Sequence, residues 1–300
     1  MANFSDPYLL NKQDIEATAK EAINCSIGID CDFPVDLFAI IEMWGIDVEV
    51  VNIPESSELA KIYLTQCPKI VINSAYDLDK IKELTISKAQ EHGNLRFSIA
   101  HELGHYFLKA HNNEDIRTRM LQNNISHYQN QYTAMTESQA NSFAAALLMP
   151  EFAMREYLNY SKPIEMAQKI SNDFGVSLTA AFLRLAKLSP NIVACIHVDL
   201  RNQTIKHVEY SKEWNDIRHE YSPYNVLILN KKTTIPKYSA TNKLLNDSES
   251  SVNGLKNQMP IERWFDSYNG DLNLYEWPYL FSDRIITFIE IEYPPIYSNF

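Results

Sequence analysis

Residues 97–108, Phe-Ser-Ile-Ala-His-Glu-Leu-Gly-His-Tyr-Phe-Leu, constrain this chain more than any other stretch. His101, Glu102 and His105 stand in H-E-x-x-H spacing. Residues four apart on a helix differ by about 40° around the axis and about 6 Å along it, so both imidazoles reach one metal ion from one face. Glu102 follows the first histidine, where its carboxylate reaches an activated water without ligating the metal. Few protein ligands, an open position and a nearby base are what zinc chemistry needs. Leu95, Ile99, Leu103, Tyr106 and Phe107 recur at helical spacing, predicting a helix from an N-cap at Asn94 to about Ala110. Gly104 costs that helix about 1 kcal/mol relative to Ala, which implies that something packs against its backbone.

Residues 137–150, Glu-Ser-Gln-Ala-Asn-Ser-Phe-Ala-Ala-Ala-Leu-Leu-Met-Pro, supply a partner. They are strong helix formers ended by Pro150. Alanines at 140, 144, 145 and 146 leave little bulk, so a second helix can approach, and Gly104 offers the matching gap. Glu137, in the first turn, is the favoured third zinc ligand, with stabilisation of the helix N-terminus as its structural alternative. Asn141, one turn on, is placed either to hydrogen-bond a ligand histidine or to pack as a plain amide. His111 competes with Glu137, because it lies six residues after His105 as in H-E-x-x-H-x-x-G-x-x-H. Leu108, however, occupies the place where that motif needs Gly to turn off the helix. Asp115 and His127 are further alternatives.

Together, Arg-Phe-Ser-Ile-Ala-His-Glu-Leu-Gly-His-Tyr from Arg96 and the 137–150 stretch resemble the ImmA/IrrE family of zinc metallopeptidases. The resemblance covers roughly residues 10–190 and is strongest from Arg96 to Glu151. It implies a minimal gluzincin-like zincin domain of α+β class, with helices packed on a small three-stranded sheet. It also implies His101, His105 and Glu137 as ligands of a catalytic zinc and Glu102 as the base. Family members typically cleave a helix-turn-helix repressor, releasing genes of a mobile element, a phage or a stress response.

The rest of the chain fits that frame. Lys12–Ile27 and Asp36–Trp44 have helical spacing, the second stopped by Gly45. Residues 46–50, 60–65 and 69–73 read as strands, and Asp77–Glu91 as a weak helix. His111–Thr136, polar and rich in Asn and Gln, reads as a long loop beside the site, in which His127, Tyr128 and Tyr132 are candidate donors to an oxyanion. An extended substrate is expected to pair with the 60–65 strand, and unchanged turnover after a proline substitution there would count against this.

Residues 162–188 outline a helix-turn-helix. Its second helix is mostly apolar, with only Arg184 and Lys187 suited to nucleic acid, so a packing module is expected rather than a DNA reader. Beyond Ser189 the strands at 192–199, 204–210, 224–229 and 285–292 predict a mixed α/β domain, for which sensing is a hypothesis. Residues 239–259 read as a loop or linker. The expected organisation is a metallopeptidase domain over 1–160, a helix-turn-helix-like module over 161–189 and a C-terminal domain over 190–300.

Composition narrows the function classes. The net charge of −11 argues against a general nucleic-acid surface. Cys25, Cys31, Cys67 and Cys195 lack C-x-x-C spacing and read as reduced thiols of a cytoplasmic protein. No signal peptide or membrane span is expected. The leading expectation is a zinc endopeptidase acting on a protein substrate. Its rival is a zinc-containing regulator that binds DNA, a repressor or a toxin partner without turnover, although a structural site has no need of Glu102.

Overall fold

The computed structural model describes residues 12–108, 126–220, 229, 234–265 and 272–292, of which 12–14, 126–133 and 218–220 by backbone alone. The chain divides into two compact units, 1–154 with 170–177, and 155–169 with 178–300.

The first unit is built on a three-stranded sheet. Strands β1 (Asp47–Val51), β2 (Ala60–Tyr63) and β3 (Lys69–Asn73) lie in the order β1-β3-β2, with β1 parallel and β2 antiparallel to β3. The central β3 buries Ile70 and Ile72 completely, as its alternating sequence requires. The Leu37–Met43 helix starts where the Asp36 carboxylate accepts from Phe38 N–H and Ala39 N–H, and it ends at Gly45, whose φ of +62° suits glycine.

The Gly93–Phe107 helix lies over β2 and packs against a long helix, Ser126–Leu148. It starts with His92 as N-cap and no side-chain cap, so Asn94 sits inside the first turn rather than capping it. It ends with Leu108 in an extended conformation, three residues short of the expected Ala110. The long helix begins at Ser126, within the stretch read as a loop from sequence, where polar residues carry no apolar period. On its other side it meets the Lys12–Ser26 helix, which buries Ile15, Ala19, Ala22 and Ile23.

After the long helix come helices Pro163–Phe174 and Leu178–Leu188, joined through Gly175 at φ +62°. A side chain at Gly175 would meet the Ala89 Cβ at 2.3 Å, so both conformation and space exclude one. Arg184 is 1% exposed, which removes it from the surface where it was expected to be available to nucleic acid.

The second unit holds an antiparallel sheet in the order β5-β4-β8-β7-β6, made of β4 (Ile192–Asp199), β5 (Thr204–Tyr210), β6 (Asn257–Pro260), β7 (Asn273–Leu280) and β8 (Arg284–Glu292). Ala194, Ile196, Ile285 and Ile289 on one face join Trp214, Leu244 and Trp264 in a core. The opposite face carries Tyr279 and Phe288, whose rings meet Phe182 at 5.3 Å and Tyr160 at 5.9 Å. The 239–259 stretch is not a plain linker: Ser239 caps a helix over Ala240–Asn246, and β6 begins at Asn257. The strand expected at 224–229 falls, but for Leu229, outside the described residues. Among the described residues no helix is long and apolar enough to cross a membrane.

Candidate metal centre

The site depends on how closely its two helices approach. A Cβ at Gly104 would lie 3.0 Å from the Ala140 Cα and 3.1 Å from the Ala140 carbonyl oxygen. Gly104 and Ala140 therefore touch backbone to backbone, as their small side chains permit. Glu137 lies one turn before Ala140 on the long helix, and the close approach carries its carboxylate to both histidines.

Three ligand-type atoms converge there. His101 Nε2 lies 3.1 Å from His105 Nε2 and 3.1 Å from Glu137 Oε2, and His105 Nε2 lies 3.4 Å from Glu137 Oε1. A tetrahedral ion with bonds of about 2.1 Å sets its ligand atoms about 3.4 Å apart, so these spacings fit one. His101, His105 and Glu137 form the one group of metal-ligand type found among the described residues. Asn141 Oδ1 lies 2.9 Å from His101 Nδ1. An amide oxygen accepts only, so this bond fixes the proton on Nδ1 and leaves the Nε2 lone pair facing the convergence point. The donor set therefore fits a divalent cation that takes imidazole and carboxylate.

Glu102 stands beside these ligands without joining them. Its Oε2 accepts from Ile62 N–H on β2 at 2.8 Å. Burial pushes the Glu102 carboxyl above the usual carboxylate range, while the Ile62 N–H pulls it back. The Ile62 contact has no sequence signal, because it joins a side chain to a backbone group forty residues away.

Arg96 is a second feature that the sequence reading did not single out. It is fully buried and donates to Thr85 C=O at 2.6 Å and Val35 C=O at 3.1 Å, tying the metal-site helix to two neighbouring segments. Burial lowers its pKa to about 10, which keeps it charged near neutrality. Its position within the apolar stripe from Leu95 to Ile99 was the available hint. At the other end of the helix, Phe107 lies 5.0 Å from the Trp44 ring and 5.6 Å from Phe143.

Beside His101, His105 and Glu137 runs a cleft of about 540 Å³, floored by β2 and the Gly93–Phe107 helix. His111 and Asp115 lie outside the described residues, as do the side chains of His127, Tyr128 and Tyr132.

Residues 57–186 match the Peptidase_M78 family model, described as an IrrE N-terminal-like domain. No curated protein matches the chain. A solved structure described as a Mycobacterium tuberculosis transcriptional regulator is similar in fold, at 14% identity and a TM-score of 0.51, over 92% of this chain and 86% of that one. The matched segment spans both motifs and all three convergent ligands, so residues 57–186 are an IrrE N-terminal-like peptidase domain and belong to the ImmA/IrrE family.

Proposed function

We propose that this chain is a cytoplasmic zinc-dependent endopeptidase with a zincin-type site, in which His101, His105 and Glu137 hold the metal and Glu102 is the catalytic base. The observation that carries this reading is the convergence of those three ligands beside a carboxylate that is held separately by Ile62 N–H. Bound zinc supplies Lewis acidity, which acidifies water and polarises a carbonyl. The residues of this chain do the rest. Ile62 N–H occupies Glu102 Oε2, leaving Oε1 to take a proton from the attacking water and pass it to the leaving amine. The partial burial of Glu102 raises its basicity, which suits it to that transfer. Asn141 holds the His101 ring in the tautomer that binds metal.

The substrate is a protein held in extended form along β2, which lies at the edge of its sheet. Family resemblance points to a helix-turn-helix repressor, whose cleavage would release mobile-element, phage or stress genes.

The test is incubation of the zinc-loaded chain with the helix-turn-helix regulator encoded nearest to it, followed by mass spectrometry of the products. Cleavage at a defined bond, lost in Glu102→Gln while metal is retained, is the expected result. An intact regulator, or equal cleavage by Glu102→Gln, would remove the assignment.

A further inference from the structure

A second cavity, of about 240 Å³, adjoins the cleft and plays no part in holding the metal or the base. Its apolar walls come from Leu59, Ile81, Leu84 and Leu95, Glu91 and His92 add polar groups to its lining, and Tyr76 and Asn94 stand at its exposed rim. Leu59 also lines the metal-side cleft, so the two share a wall. The metal-site helix runs beneath both. Leu95, Ser98, Glu102 and His105 fall within about 80° of one another around its axis, on one face. Leu95 lines the second cavity, while Ser98, Glu102 and His105 line the first. One helix face therefore leads from the metal ligands into the second cavity.

The sheet edge supplies a direction. Leu59 C=O accepts from Asn73 N–H at 2.9 Å, so Leu59 faces β3. Backbone groups alternate sides along an antiparallel strand, so Lys61 and Tyr63 also face β3, and Ala60 and Ile62 face away from it, at the outer edge of the sheet. The Ile62 N–H bond to Glu102 agrees with this alternation. Both β2 and the metal-site helix run from the second cavity towards Glu102. A peptide paired antiparallel to β2, the slightly more stable arrangement, runs the opposite way. Its C-terminal part then enters the second cavity. Glu102 and Leu95 are seven residues apart, about 10 Å along the helix. An extended chain covers that distance in about three residues.

We propose that the second cavity is a specificity subsite that takes an apolar side chain on the third or fourth residue after the cleaved bond. This inference rests on the peptidase reading, and it adds a requirement that this reading does not contain.

The probe is a proteome-derived peptide pool digested with the full-length zinc-loaded chain, with cleavage sites read by mass spectrometry. The quantity compared is enrichment at the third and fourth residues after the cut relative to the first. Wild type is expected to enrich large apolar residues there about tenfold, the discrimination typical of an apolar pocket. Asn94→Trp, which blocks the rim from an exposed position, is expected to bring that enrichment below about twofold. Tyr76→Ala, which removes an exposed wall, provides a second variant and is expected to broaden the preference. Cleavage with no preference beyond the second residue, or the same preference in both variants, overturns the subsite and leaves the peptidase standing. Absence of metal-dependent cleavage by wild type overturns both.

Discussion

Gly104→Ala tests the helix contact that forms the candidate metal site. The new methyl carbon would lie 3.0 Å from the Ala140 Cα, 3.1 Å from its carbonyl oxygen and 3.3 Å from the Phe143 Cβ. Carbon atoms prefer separations of about 3.5–4.0 Å, so the helices must part by a few tenths of an ångström. The nearest atoms are backbone, which cannot rotate away. Ala gains about 1 kcal/mol over Gly in helix propensity. Overpacking a tight contact costs about 1–3 kcal/mol, so the net change is a loss of about 0–2 kcal/mol. The functional effect is expected to be larger than the stability effect. Glu137 is one turn from Ala140 and moves with it, and a shift of a few tenths of an ångström takes up most of the displacement of about 0.5 Å that a ligand site tolerates. Zinc affinity, measured by competition with a chromogenic chelator, should fall by about tenfold or more. Urea denaturation of the same samples gives the stability change. A variant stabilised by about 1 kcal/mol, with unchanged zinc affinity, would show that propensity wins and that the contact does not set the site.

Three further outcomes follow from individual residues. Asn141→Ala removes the acceptor that holds His101 Nδ1, and should weaken zinc binding about 10- to 100-fold with little change in stability. Arg96→Met leaves the buried carbonyls of Thr85 and Val35 without their donor, and should cost about 2–4 kcal/mol in urea denaturation. Glu276, buried beneath the start of the Ala240–Asn246 helix, accepts from Ala240 N–H, the Thr241 hydroxyl and Trp264 Nε1–H, yet burial pushes its carboxyl up to about 7. An acid with a raised folded pKa binds its proton more tightly when folded. Its stabilisation is therefore complete below the unfolded value of 4.5 and is lost as pH rises through 7. The full loss is about 3 kcal/mol, and Glu276→Gln should flatten that part of the pH–stability curve.

Much of the first unit was legible because its chemistry is local. H-E-x-x-H needs only a helix to bring two imidazoles together, and Gly104 with the alanines from 140 to 146 announced the facing pair. Strand β3 was readable to the residue from its alternation. What escaped depends on distant partners or on polar sequence. The long helix begins eleven residues before Glu137, in sequence with no apolar period, because packing elsewhere in the helix sustains it. Strand β7 was hidden by Pro278, a residue that argues against a strand interior. Pro278 C=O accepts from Gly254 N–H, so its missing N–H also faces that side, beyond the end of β6, and the ladder to β8 loses no donor. Arg96 could be read as part of a motif, but not as a buried clamp, because its two carbonyl partners come from Thr85 and from Val35, sixty-one residues earlier.

The most direct test of the central claim is the metal content of the purified chain, wild type beside Glu137→Gln, after refilling with zinc. About one zinc ion per chain in wild type, with binding weakened or lost in the variant, is the predicted result. A wild-type chain that takes up no zinc would contradict the metallopeptidase account.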